Sequence, residues 1–178
     1  FQTFVNPNRR LTPEIIGLTG ITDEQLRTEG AAPEEAAGDF CALLEGAERP
    51  LLVAYNAQFD LNFMFWFLRP LGLTELLKKP RFLDALTVYR DRRDYPHKLC
   101  NAIEAYGLTD AVNSHRAVDD ARATVRLLEA MAAERDDLEK YIADADSIIC
   151  GPMEANEKGD RLAFVWKDGA ILELYQEK

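Results

Sequence analysis

The chain is poor in the residues that build disulfide frameworks and zinc cages. Its three cysteines, Cys41, Cys100 and Cys150, are odd in number, far apart and set among apolar or helix-forming neighbours. This pattern points away from a disulfide scaffold or a zinc site and suits reduced thiols in a cytoplasm. No apolar run is long enough to span a bilayer, and the N-terminus lacks a charged-then-apolar leader. The expectation is therefore a soluble, cytoplasmic protein with no membrane partner. An excess of positive charge is also missing. A formal net charge of −10 argues against broad adhesion to nucleic acid, which needs local Lys and Arg, but leaves room for an enzyme that grips a strand end. The mid-chain basic cluster of Arg90, Arg92, Arg93 and Lys98 reads as a solvated face. There is no internal repeat, no low-complexity segment and no initiator methionine before Phe1, so a processed chain or a fragment is expected.

At 178 residues, 47 % of them hydrophobic, the chain is the size of one domain with at most a small appendage. Phe1 to Val5 alternates and stops at Asn6-Pro7-Asn8, which reads as the end of a strand or the second arm of a hairpin. Thr12-Pro13-Glu14 and Thr22-Asp23-Glu24-Gln25 each open a short helix under a threonine cap. Ala32-Pro33 begins an amphipathic helix with Ala36, Phe40, Leu43 and Leu44 on one side, closed by Gly46. Leu51 to Tyr55 is a short continuous apolar run, the pattern of a buried parallel strand. An apolar helix over Leu61 to Leu68 follows, then a strand at Arg81 to Asp84 and helices around Leu86 to Tyr89 and Lys98 to Tyr106. The longest helix is expected over Arg116 to Met131, with Ala117, Ala121, Val125 and Leu128 on its apolar stripe. Glu134 to Ala145 is acidic and weakly helical. Arg161 to Trp166 and Ala170 to Leu174 flank Lys167-Asp168-Gly169 as a hairpin. Alternating strands and helices argue an α/β layer fold with that hairpin appended, divided as residues 1–133 and 134–178.

Three polar residues stand out. Asp60 follows a buried strand and lies near a helix start, so it sits at the sheet edge where α/β folds place their chemistry; a plain helix cap is the alternative. Asp120 lies about one turn inside a helix beside Ala117 and Ala121, where small neighbours leave room around a carboxylate. His115, one of two histidines, precedes that helix and is either a polar loop residue or a general base aimed at water held by metal ions at Asp120.

Asn56-Ala57-Gln58-Phe59-Asp60 resembles the second motif, and His115-Arg116-Ala117-Val118-Asp119-Asp120-Ala121 the third motif, of the DEDDh 3′→5′ exonucleases. That DnaQ-like group includes the proofreading epsilon subunit and the exonuclease domain of bacterial replicative polymerases. Leu18 to Glu24 and Asp84 also fall where the family has similar stretches, and the resemblance spans about Phe1 to Met131. It implies a ribonuclease H-like mixed sheet flanked by helices. It also implies that Asp120 ligates the more tightly held divalent metal, that Asp60 orients a second, and that His115 deprotonates the attacking water. Asn56, Phe59 and Ala117 would lie on the substrate side, Phe59 packing beneath the site and Ala117 leaving space beside it. Two Mg²⁺ or Mn²⁺ ions about 4 Å apart would stabilise the attacking and leaving oxygens of a phosphodiester.

The family's first motif, an Asp-x-Glu on the central strand, is missing from this sequence. The expected reading is a fragment whose N-terminal strands lie upstream, leaving open edges on Phe1 to Val5 and Leu51 to Tyr55. A strand supplied by another chain and a degenerate relative are the alternatives. The implied activity is metal-dependent release of nucleoside monophosphates from single-stranded DNA or frayed 3′ ends, in proofreading or repair, beside a DNA polymerase subunit. The chain as given is expected to be inactive without the Asp-x-Glu. A ribonuclease acting on RNA and a non-catalytic adaptor are the competing readings.

Overall fold

The computed structural model describes residues 2–111, 117–144, 149–150, 161–167 and 170–176. The two short helices form under their expected caps. In α1 (Pro13–Thr19) the hydroxyl of Thr12 accepts from the Ile15 amide at 3.3 Å. In α2 (Asp23–Glu29) Thr22 and Gln25 satisfy each other reciprocally, at 3.2 Å and 3.1 Å, so two amides without helical partners are paired. Strand β1 (Phe4–Val5) runs parallel to β2 (Gly30–Ala31). The segment expected as a hairpin arm with its partner upstream is thus corrected: it pairs in parallel with β2, which its alternation does not disclose.

α3 (Pro33–Gly46) ends at the expected glycine but is turned relative to the expected stripe. Ala36, Ala37 and Leu44 are buried, whereas Leu43 is exposed. The inward row is Ala37, Phe40 and Leu44, spaced by three and four residues, because Ala37 and Phe40 pack on the cluster around Leu61 and Phe65.

The main sheet has the order β3 (Leu51–Ala54), β4 (Arg81–Asp84) and β5 (Ile142–Asp144). β3 and β4 are parallel, with Leu51 opposite Arg81 and Ala54 opposite Asp84, while β5 is antiparallel to β4. The sheet is mixed, as expected. Because side chains alternate along a strand, Phe82 and Leu83 of β4 point to opposite faces and seed two cores. Phe82 joins Ala37, Leu61, Phe65, Leu68 and Leu77 below α3 and α4 (Ala57–Leu68). Leu83 joins residues of α5 (Ala85–Arg92), α6 (Leu99–Ala105) and α7 (Ala117–Glu134), among them Val88, Ala102, Leu127 and Met131. Helices thus cover both faces of the sheet.

Four expectations are corrected. β3 is parallel but not buried: Leu51 and Val53 are 39 % and 40 % exposed. Only the Leu52 side packs on the core, and among the described residues β3 has a neighbour on one edge alone. The stripe of α7 that enters the core is Ala123, Thr124, Leu127, Leu128 and Met131. Ala117, Ala121 and Val125 are exposed, the neighbouring stripe of a helix whose two apolar rows face different things. The segment read as acidic and weakly helical holds a 3-10 turn at Leu138–Tyr141 and then β5, so it enters the sheet beyond residue 133. The basic cluster, finally, is a solvated face only in part: Arg90 and Lys98 are exposed, whereas the Arg92 side chain is 2 % exposed and pairs with Asp137, and Arg93 pairs with Glu134 at 2.9 Å.

The terminal strands β6 (Ile149–Cys150), β7 (Arg161–Lys167) and β8 (Ala170–Gln176) form a separate antiparallel sheet, with Lys167 opposite Ala170 as the hairpin expectation requires. The turn residues Asp168 and Gly169 lie outside the described residues. No helix among the described residues is long and apolar enough to cross a membrane.

Candidate active site

Strand β3 delivers the chain to the sheet edge at Tyr55, where Asn56 turns it into α4. Asn56 adopts a left-handed conformation, φ 73° and ψ 57°, which asparagine tolerates better than most side chains. Its carbonyl accepts from the Phe59 amide at 2.8 Å, so the first turn of α4 closes directly on it. Asn56 is the residue preceding the helix and its side chain makes no capping bond, so Asp60 is not the cap. Asp60 instead stands at the end of the first turn, and Phe59 beside it.

Opposite them stands the start of α7, where Asp120 is one turn in. Residues 112–116, and His115 with them, lie outside the described residues. A cleft of about 420 Å³ lies between the two helices and the end of β3; Phe59, Asp60, Ala117, Asp120 and Ala121 all line it. The two aspartates, 60 positions apart in sequence, thus meet in one concavity. Ala117 and Ala121 keep the α7 side low, as their small size suggested. The Thr124 hydroxyl donates to the Asp120 carbonyl at 2.8 Å and continues the cleft wall inward.

Phe59 differs from its expected place beneath the site. It is 59 % exposed and stands in the wall, its ring 4.9 Å from that of Phe63, itself 60 % exposed. Four residues separate the two, one helical turn, so an aromatic ridge runs along the outside of α4 from the cleft.

Desolvation by surrounding protein pushes the Asp60 carboxyl up to about 6; hydrogen bonding to its own backbone opposes this, and the nearby Asp84 adds a further push upward. Much of the residue's surface is nonetheless open, because the cleft faces solvent while protein crowds its other sides. This site favours whatever neutralises Asp60, a proton or a cation. Two carboxylates in one cleft are hard oxygen donors of the kind Mg²⁺ and Mn²⁺ take. Among the described residues they do not form a cluster of three or more His, Cys, Asp or Glu around one point.

Sequence reasoning missed several wall residues. Tyr55 lines the cleft and its hydroxyl donates to the His97 carbonyl at 2.9 Å, holding the loop before α6 so that Leu99 reaches the cleft as well. His97, the second histidine, serves structure: its ring Nε2 is 3.0 Å from the Arg93 carbonyl and stands edge-on to Tyr89. A tyrosine closing an apolar strand was the one available signal for this wall.

Comparison with known proteins gives the cleft its context. A family model described as exonuclease matches residues 1–128, a span that contains both motifs and every described element of the cleft. The chain belongs to the exonuclease family. It is 37 % identical over 143 residues to DNA polymerase III PolC-type of Halalkalibacterium halodurans, covering 76 % of this chain and 9 % of that protein. It is 30 % identical over 135 residues to DNA polymerase III subunit epsilon of Treponema pallidum, covering 75 % of this chain and 60 % of that one. The chain therefore spans a small part of its PolC-type relative and somewhat over half of the epsilon subunit. A solved structure of a 3′-exonuclease that recognises the histone mRNA stem-loop superposes with a TM-score of 0.59 at 18 % identity, covering 98 % of this chain and 72 % of that one. The fold is the ribonuclease H-like α/β fold, and the exonuclease family to which the chain belongs uses divalent metal ions.

Proposed function

We propose that this exonuclease domain removes nucleoside monophosphates from the 3′ ends of single-stranded or frayed DNA, in proofreading or repair beside a DNA polymerase. The observation that carries this reading is the meeting of Asp60 and Asp120 in one cleft with Phe59 and Ala117. In it, Asp60 and Asp120 hold Mg²⁺ or Mn²⁺. When bound, the ions activate water at neutral pH and offset charge on the phosphodiester oxygens. His115 takes the proton of the attacking water. Phe59 offers a ring face to the terminal base and Ala117 leaves room for the sugar, while Asn56 sets the start of α4.

A two-carboxylate donor set is short of what two ions require. We propose that an extended segment carrying an Asp-x-Glu pair completes it by pairing along the edge of β3 that has no neighbour among the described residues. The exposure of Leu51 and Val53 supports this, as does the bare row Ala117, Ala121 and Val125 on α7. A long apolar edge is otherwise an aggregation liability. That the terminal strands β6, β7 and β8 form an appended unit belongs to the same proposal, whereas the boundary expected at residue 133 falls inside the main fold because β5 pairs with β4.

The test is release of mononucleotides from a labelled 3′ end, with and without EDTA, by the protein carrying that segment. RNA and DNA oligonucleotides in parallel decide the sugar preference. No metal-dependent release from either would favour a non-catalytic adaptor.

A further inference from the structure

Asp84 closes β4, opposite Ala54 in the last register pair of β3 and β4. Its Oδ1 accepts from the Leu86 amide at 2.9 Å, which caps α5. The same oxygen accepts from the Asn56 amide at 2.8 Å, across to the turn that follows β3, 28 residues earlier in sequence. Oδ2 takes the Thr87 hydroxyl at 3.3 Å. A cap alone needs one short acceptor, and serine serves as well as aspartate. The second bond is the informative one. Asn56 lies beyond the end of the backbone ladder, and the Asp84 carboxylate extends the ladder by one more rung just where the chain turns through a left-handed residue.

We propose that Asp84 is a positioning residue: by holding the Asn56 amide it fixes where α4 begins, and so where Asp60 and Phe59 stand in the cleft. The inference rests on the nuclease reading of that cleft for its function, though not for its geometry. A β3–α4 turn without this bond leaves the Asn56 amide to solvent and lets the first turn of α4 open independently of the sheet. A metal-ligating carboxylate on a loosened turn loses the fixed geometry that catalysis needs.

Three variants separate this role from simple capping. Asp84→Asn keeps an acceptor of the same reach, Asp84→Ser can cap α5 but is too short to reach Asn56, and Asp84→Ala does neither. Residue-resolved amide hydrogen exchange on the full chain is the first readout. In Asp84→Ser, exchange at Asn56 and Phe59 should quicken about tenfold or more while the amides of α5 and the Tm stay near those of the parent. Asp84→Asn should resemble the parent, and Asp84→Ala should loosen both regions. Unchanged exchange at Asn56 and Phe59 in Asp84→Ser would overturn the proposal, leaving Asp84 as a cap alone. Equal loosening of α4 and α5 in that variant would overturn it as well. The second readout is Mn²⁺-dependent mononucleotide release by the protein carrying the Asp-x-Glu segment. There Asp84→Ser should lower kcat about tenfold with little change in KM for a short oligonucleotide, and Asp84→Asn should restore it. If the parent itself releases nothing, the nuclease reading fails, and the exchange result still decides the positioning role.

Discussion

The guanidinium of Arg92 lies 2.5 Å from the carboxylate of Asp137, on a side chain that is 2 % exposed. The same guanidinium donates to the carbonyls of Met131 and Arg135, so one side chain ties the end of α7 and the turn after it to α5. Around it Arg93 and Tyr106 hold Glu134, and Arg135 and Tyr141 hold Asp91. Arg92 and Arg93 of the basic cluster and the start of the acidic tail, separate in sequence, are thus partners in the fold. This network delivers the chain into β5, and it spends positive charge that would otherwise suggest a phosphate-binding patch.

Replacing Arg92 by alanine should therefore destabilise the domain by about 2–3 kcal/mol, because it leaves carboxylates and helix-end carbonyls without their donor. Affinity for a short oligonucleotide, measured on the folded variant, should stay as in the parent. A large loss of oligonucleotide binding at unchanged Tm would reverse this assignment. The hydroxyl of Tyr106 and then Arg93 hold Glu134 below its ordinary range, and Lys140, followed by Arg135, does the same for Asp137. Depressed carboxylates contribute stability that is present above about pH 4 and is lost as pH falls through their folded values.

Asp60 has the opposite sign. Its folded value of about 6 lies above the ordinary carboxylate value of about 3.9. The native state then binds its proton more tightly than the unfolded chain does. Stability from this group is full below about pH 4 and is lost as pH rises through about 6. In the metal-free protein Asp60→Asn should match the parent's Tm near pH 4 and exceed it near pH 7.5, since other groups cancel in the difference. A Tm difference that stays flat across this range would contradict a raised Asp60. Divalent ions should raise the Tm of the parent near pH 7.5 more than that of the variant, which keeps only Asp120.

Asn56 is constrained by its backbone. Asn56→Gly should change stability by less than about 0.5 kcal/mol, while Asn56→Ala should cost about 1 kcal/mol for a left-handed residue with a Cβ and no local compensation. Equal effects of the two, read from urea denaturation midpoints, would show that the asparagine side chain and not its backbone matters.

Local rules carried much of the fold. Thr22 with Gln25, the apolar run at Leu51 and the small residues beside Asp120 each report on neighbours within a turn or a strand. The pairing of Asp60 with Asp120 was readable only through motif resemblance, since nothing in their spacing brings them together. Bonds between distant segments stayed hidden: Asp84 to Asn56, Arg92 to Asp137, and β1 to β2. Such contacts are set by how finished elements pack. The misplacement of Leu51 and Val53 has one cause, whereas Phe59 was placed through motif resemblance. A continuous apolar segment signals burial but not what performs the burying, and among the described residues these side chains are largely open.

The most direct test of the central claim, that Asp60 and Asp120 are two parts of one metal-dependent nuclease site, is release of the 3′-terminal mononucleotide from a single-stranded oligonucleotide in Mn²⁺. It is measured for this chain alone and for the protein carrying the Asp-x-Glu segment, each as parent, Asp60→Ala and Asp120→Ala. Little release is expected from the chain alone, and robust release from the protein carrying the Asp-x-Glu segment, which EDTA or either substitution reduces by a factor of about a hundred or more. Release that survives EDTA, or that survives both aspartate substitutions, would contradict it.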